Sequence, residues 1–164
     1  MDTITIIGIL VLAAFAIPVA IVMQKQNREK KKLVEMLAQL GQEYQINITE
    51  HEAWRNKLIG LDPKSGKAIL IIKGADGNDV NIVDLHKFTK CEVEKFAIAS
   101  ETDSSLQAVS QVRIRFTPRE KAQKDNHFIL FNEESDHTLG VELRIGNDWV
   151  EKFSKILKTG LKAA

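Results

Sequence analysis

The chain has 164 residues, one cysteine and a formal net charge of +1, which allows one folded domain and excludes an intrachain disulfide. From Gln45 onward acidic and basic residues cancel. This argues against a nucleic-acid partner, because such binding begins with the neutralisation of phosphates.

The first predicted element is a transmembrane helix within residues 1–23. The run from Ile4 to Met23 is apolar and uncharged, and as a helix it is about 30 Å long, the thickness of the hydrocarbon core. Basic residues follow this run and none precedes it. The positive-inside rule therefore predicts a single-pass protein of the cell membrane with its N-terminus outside and its C-terminal domain in the cytoplasm. A cleaved secretory signal is the competing interpretation.

Residues 24–44 are predicted to form a basic juxtamembrane helix. Five cations in it are candidate contacts to the lipid bilayer or to a partner: Lys25, Arg28, Lys30, Lys31 and Lys32. A narrow apolar stripe recurs at helical spacing and consists of Leu33, Leu37, Leu40 and Tyr44. This stripe either pairs with another helix, which would make an oligomer, or rests on its own domain or on the membrane surface.

Residues 45–164 are predicted to form one cytoplasmic α+β domain. Seven short β segments are separated by turn residues: Lys57–Leu61, Lys67–Lys73, Asp79–Leu85, Cys91–Ala99, Val109–Thr117, His127–Asn132 and Leu139–Ile145. An amphipathic helix follows, capped by Asn147 or Asp148. We expect a seven-stranded antiparallel bent sheet or partly open barrel, capped by this C-terminal α-helix.

The fourth and fifth of these strands suggest a hairpin. The fourth strand changes phase, which predicts a bulge near Lys95. In a hairpin with the fifth strand, Glu92 and Glu94 would lie beside Arg113 and Arg115 on the outer face and form ion pairs.

The order of elements resembles the pleckstrin-homology superfold, in particular bacterial PH-like domains on a membrane anchor. The most similar pieces are Lys57 to Asp62, Val80 to Leu85 with the Lys87-Phe88 that follows, the Cys91-Glu92-Val93 start of a strand, and Trp149 at the start of the helix. The resemblance implies a non-catalytic binding module for phospholipid headgroups, peptides or partner proteins. Members that bind phosphoinositides carry a basic signature across the first two strands. Here Lys64, Lys67 and Lys73 lie in that region, without the arginine of the pattern.

Residue types of a catalytic or metal site do not converge in the sequence. The histidines are dispersed, and the sequence has no paired cysteines and no glycine-rich phosphate loop, so neither a metal nor a cofactor is expected. Asp84 and His86 would share a face of an extended segment and keep open an uncharacterised enzyme or sensor. A turn or strand-end role is the other interpretation of this pair.

A long polar loop from Pro118 to Asn126 carries three further candidate contacts, Arg119, Lys121 and Lys124. It either contacts anionic headgroups or an acidic partner, or is simply solvated. The predicted function is a non-catalytic module that holds a partner protein at the membrane, or a subunit of a membrane complex. Binding of anionic phospholipid headgroups at the inner leaflet is the alternative.

Overall fold

The computed structural model of the chain describes residues 24, 27–74, 77–99, 107–120, 124–136 and 138–162. The predicted transmembrane helix lies outside the described residues, as do Lys25 and Lys121. Among the residues that are described, no helix is long and apolar enough to cross a membrane.

A helix, α1 (27–43), precedes seven strands that form two antiparallel sheets. The strands are β1 (Glu50–Trp54), β2 (Lys57–Asp62), β3 (Lys67–Lys73), β4 (Asn78–Asp84), β5 (Phe88–Ala99), β6 (Gln107–Pro118) and β7 (Asn126–Asn132). A 3-10 turn, Leu85–Lys87, separates β4 from β5, and a helix, α2 (Glu142–Lys162), follows β7. The strand order is β1-β2-β3-β4 in the first sheet and β5-β6-β7 in the second.

The prediction of one seven-stranded bent sheet or partly open barrel is wrong. In the described residues the strands pair within two separate sheets, and the 3-10 turn at Leu85–Lys87 interrupts the path from β4 to β5. Side-chain hydrogen bonds link β4 to the start of β7. The amide of Asn81 donates to Asn126 Oδ1 at 3.2 Å and to the carbonyl of His127 at 3.0 Å. The two sheets therefore share a core without joining into one.

The predicted strand Leu139–Ile145 is also wrong, because α2 begins at Glu142. The apolar residues of this segment alternate as in a strand. However, its last residue, Ile145, also stands four positions before Trp149. That spacing extends the apolar face of the helix by one turn. The expected caps, Asn147 and Asp148, consequently lie inside α2.

Strand β1 is absent from the sequence prediction. Its sequence, EHEAW, is polar and has no β-branched residue, so it carries little strand signal. It pairs with β2 across a two-residue turn, Arg55 and Asn56. Arg55 takes a φ of 46° there, a conformation that glycine or asparagine more often supplies.

Helix α1 covers the outer face of the first sheet. Leu33 and Leu37 are 0% and 5% exposed, and they pack against Leu58 of β2 and against Ile69 and Ile71 of β3. Of the interpretations that the leucine stripe left open, packing on its own domain is therefore the one observed for these residues.

The other two residues of the stripe differ from each other. Leu40 is partly buried against the same cluster, whereas Tyr44 lies just beyond the helix and is 47% exposed. An oligomer through this stripe stays a prediction. Its two central leucines are already buried within the chain.

The core between the two sheets and α2 is built on aromatic contacts. The ring of Phe116 lies 5.7 Å from Phe88, 5.0 Å from Phe128 and 5.7 Å from Phe153, measured between centroids. Trp149 is fully buried and lies 5.6 Å from Phe153. These rings hold α2 against the second sheet.

A buried ion pair joins β2 to the loop between β7 and α2. Lys57 Nζ lies 2.6 Å from both carboxylate oxygens of Asp136, and the two residues are 2% and 6% exposed. Asp136 also accepts a hydrogen bond from the backbone N–H of Asn132 at 2.9 Å. The neighbouring Arg55 lies 3.3 Å from the fully buried carboxylate of Glu142, so two ion pairs hold this loop.

Replacement of Lys57 by methionine should lower the free energy of unfolding by about 3–5 kcal/mol, because it leaves the charge of Asp136 buried and unpaired. Denaturant unfolding of the detergent-solubilised chain measures this. The double variant Lys57→Met/Asp136→Leu should recover most of the loss. The exposed pair of Lys155 with Glu151 supplies the control, and a Lys57→Met effect no larger than that of Lys155→Met would contradict the prediction.

Two adjacent residues test whether α1 belongs to the domain. Leu33→Ala should cost about 2–5 kcal/mol of unfolding free energy, because it opens a cavity against the first sheet. Val34→Ala, at a position that is 38% exposed, should cost much less. If Leu33→Ala lowered the unfolding free energy no more than Val34→Ala does, α1 would not contribute to the folded unit.

Candidate functional site

The predicted cationic contacts that the structure describes separate into two groups at opposite ends of the first sheet. Lys67 begins β3 and Lys73 ends it, so the two lie about 20 Å apart along the strand. Helix α1 begins at the Lys73 end, where Glu29 forms an ion pair with Lys73. The chain after α1 reaches the other end, where the backbone of Asn47 donates to Asp62 at 3.1 Å. We name the Lys73 end proximal and the Lys67 end distal.

The distal end gathers cations from separate turns and loops. The N–H of Leu85 donates to the carbonyl of Gly66 at 2.9 Å, and the N–H of Arg119 donates to the carbonyl of Lys87 at 2.8 Å. These bonds bring the β2–β3 turn, the 3-10 turn and the loop after β6 together. The cations on them are Lys64, Lys67, Lys87, Arg119 and Lys124. Lys87 was not among the predicted contacts.

A cavity of about 200 Å³ lies within the distal end. It is lined by the two cations Lys67 and Lys87 and by Asp84, Phe88 and Asn126, among others. Within the part of the chain that the structure describes, none of the five distal cations forms an ion pair. Their charges are therefore available to an anionic group.

The carboxylate of Asp62 shapes the turn that carries Lys64. Burial acts to raise its pKa, but hydrogen bonds from Ser65, Asn47 and Lys64 outweigh burial and hold the pKa of Asp62 below its ordinary value. These hydrogen bonds to the Asp62 carboxylate hold the β2–β3 turn in place. One of them is donated by the Ser65 hydroxyl at 2.7 Å. Asp62 is therefore a structural residue of the distal end.

The proximal end carries the other predicted cations that lie among the described residues. Arg28, Lys30 and Lys31 are exposed on the first turns of α1. Lys32 lies 3.4 Å from Glu29, the carboxylate that also pairs with Lys73. Lys73 therefore belongs with the start of α1, and the structure does not bring it together with Lys64 and Lys67.

A groove of about 480 Å³ runs beside α1. Val34, Ala38 and Gly41 form its helical wall, and Ile46 and Ile48, on the segment that leads into β1, form much of the other wall. This groove was not predicted from the sequence. The available signal was the spacing of Val34 and Ala38, each one position after a leucine of the predicted stripe.

Asp84 and His86, the pair of the enzyme alternative, are joined through the backbone. Asp84 Oδ1 accepts the backbone N–H of His86 at 3.1 Å, and the His86 ring packs on Gly66, which has a φ of 67°. The distal cavity is lined by Asp84 and not by His86.

Burial raises the pKa of the Cys91 thiol. Among the described residues, no group of three or more histidine, cysteine or acidic residues is placed to hold a metal ion.

The outer face of the second sheet carries the predicted ladder of ion pairs. Glu94 accepts hydrogen bonds from Arg113 at 2.8 Å and from Arg115 at 3.0 Å, which confirms the predicted pairing for this glutamate. Arg115 also reaches Asp125 at 2.7 Å. Glu92 pairs instead with a lysine of its own strand.

The bulge expected near Lys95 lies on the partner strand. The register shifts between Phe96 and Ala97, and the extra residue is Ser110 of β6, whose hydroxyl donates to the Phe96 carbonyl at 3.1 Å. Phe96 remains on the outer face, where the guanidinium of Arg113 lies 4.5 Å from the centre of its ring.

No protein-family model, no curated protein and no solved structure matches the chain. The resemblance to PH-like domains stays a prediction.

The ladder predicts a pH dependence of stability. The hydrogen bond from Arg113 holds the pKa of Glu94 below its ordinary value. A lowered acid pKa gives a stabilisation that is complete above the ordinary glutamate pKa and is lost as the pH falls through the lowered value. Between about pH 5 and about pH 3, Glu94→Gln should therefore lose less unfolding free energy than the wild type.

Denaturant unfolding at a series of pH values measures the slope of the unfolding free energy against pH. Glu133→Gln, at an exposed loop position, is the control and should follow the wild type. Identical slopes for Glu94→Gln and the wild type would contradict the prediction.

Proposed function

We propose that the chain is a membrane-anchored, non-catalytic interaction module that holds a partner protein through its cytoplasmic domain. The observation that carries this proposal is the position of the distal end. Its cations lie at the opposite end of the first sheet from the start of α1.

The distance favours a protein over a lipid as the target of these cations. The apolar run Ile4 to Met23, the predicted membrane anchor, precedes α1, and we therefore assign the bilayer to the proximal side. The distal cations are then about 20 Å further away, more than two Debye lengths of about 8 Å at physiological ionic strength. Headgroup charge reaches them only weakly, whereas a carboxylate-rich segment of a cytoplasmic protein can approach them directly.

The packing of α1 supports this geometry. Leu33 and Leu37 are buried against β2 and β3, and Glu29 pairs with Lys73 at the proximal end. The direction of α1 relative to the sheet is set by these contacts. A domain attached in this way is held with its distal end away from the start of the helix.

Anionic headgroup binding at the inner leaflet is the second candidate, and it uses different residues. Arg28, Lys30 and Lys31 are exposed at the start of α1, next to the predicted span. A cation near an anionic surface contributes about 1 kcal/mol of attraction. We assign Arg28 and Lys32, which stand away from Val34 and Ala38 around the helix, to the lipid, and the distal cations to the partner.

Matched charge reversals test the proposal. Lys67→Glu/Lys87→Glu and Arg28→Glu/Lys32→Glu change the net charge equally but at opposite ends. Tagged full-length protein is purified in mild detergent, and the proteins retained by the wild type are quantified by mass spectrometry. We expect the distal pair of substitutions to lower the retained partner about tenfold or more, because like charges now face an acidic segment.

The proximal pair is the control, and it should keep the partner while reducing the anionic lipid that co-purifies in native mass spectrometry. Melting curves verify that both variants are folded. Loss of lipid in the distal variant with the partner unchanged would contradict the proposal and favour headgroup binding at the distal end.

A further inference from the structure

The groove beside α1 leaves Val34 and Ala38 of this helix uncovered, whereas Gly41 lies against the backbone of Ile46. Val34, Ala38 and Gly41 follow one another at four and three residues, the spacing of one helix face. Val34 is 38% exposed, although the leucines beside this face are buried against the sheet. The groove, at about 480 Å³, extends this face towards the segment that precedes β1.

Charges on both sides of this face suit a parallel helix. With Val34 and Ala38 at the two core positions of a heptad, Lys30 and Glu35 occupy its flanking positions. In a parallel pair, Lys30 of one helix faces Glu35 of the other, and two-fold symmetry repeats the contact. In an antiparallel pair, flanking positions of the same kind face each other, so Lys30 and Glu35 no longer meet, and the predicted anchors would lie at opposite ends of the pair. Both residues are exposed, and among the described residues neither forms an ion pair.

The direction of α1 argues against pairing through the sheet edge. Strand β1 is the outer strand of its sheet, and α1 runs along the strands from the Lys73 end to the Asp62 end. Two β1 strands joined edge to edge by a two-fold axis would reverse one α1 relative to the other. Their predicted anchors would then lie at opposite ends of the dimer, which one membrane cannot accommodate.

From this groove and its charges we infer that α1 of a second copy of the chain occupies it, in a parallel two-helix contact centred on Val34 and Ala38. Lys31 stands one heptad before Ala38 and faces its own copy. A single lysine at such a core position lowers stability but specifies the register. This dimer is independent of the partner proposed for the distal end.

Disulfide cross-linking tests the inference directly. The native thiol, Cys91, is buried, so introduced cysteines report without interference from it. Full-length Val34→Cys and Ala38→Cys, reconstituted in nanodiscs and oxidised, should form disulfide-linked dimers, because core residues of paired helices approach closely enough for the bond. Gln39→Cys, at an exposed position on the outward face of α1, should remain uncross-linked.

A charge exchange tests the parallel register. In the Val34→Cys background, Lys30→Glu and Glu35→Lys should each lower the yield of cross-linked dimer, because like charges then face each other. The combined exchange should restore the yield. A nonspecific loss of folding would not be reversed in this way.

Three results would overturn the inference. The first is the absence of a cross-link at Val34 and Ala38, and the second is an equal yield at Gln39, which would indicate association through the anchors alone. The third, from the same variants oxidised in native membranes before purification, is a cross-link to a different protein, which would assign the groove to that protein.

Discussion

The structure depends on the fact that β2 and β3 are apolar on both faces. All six residues of β2 are buried, and Ile69 to Ile71 are buried in succession along β3. A sheet of this kind needs a cover on each side, since exposure of either face would leave a continuous apolar surface in water. The second sheet and α2 cover the inner face, and α1 covers the outer one. The position of α1, and hence the distinction between a proximal and a distal end, follows from this requirement.

Much of the fold could be predicted where the local pattern has one interpretation. The runs at β2 and β3 and the placement of Glu94 beside two arginines were predicted correctly. The segment at Leu139–Ile145 was not, because its apolar positions fit both a strand and the first turn of α2. The division into two sheets was not predictable from turn residues. It depends on whether β4 and β5 share backbone hydrogen bonds, which is a property of the assembled chain.

The candidate site was less accessible to sequence reasoning. The length of β3 alone places Lys67 and Lys73 at its opposite ends. These two lysines could therefore have been assigned to different sites from the sequence. The pairing of Glu29 with Lys73 could not be foreseen, because it joins residues 44 positions apart. Lys87 was overlooked for the same reason. It enters the distal end only through the tertiary contact of the 3-10 turn with the loop after β6.

Because the net charge of the distal end is small, partner binding depends on how two copies of the chain are arranged. Its five cations are accompanied by carboxylates such as Asp62, Asp84 and Asp125, so the net field is small, and exposed ion pairs contribute about 0–1 kcal/mol each. One distal end would therefore hold an acidic segment weakly. Two chains joined through parallel α1 helices would present two distal ends in the same direction, away from the predicted membrane anchors. A partner with two acidic segments would then bind both distal ends. Once one segment is bound, the other is held at a high effective concentration near the second distal end. This can strengthen binding by about 10²–10⁴-fold without any new contact.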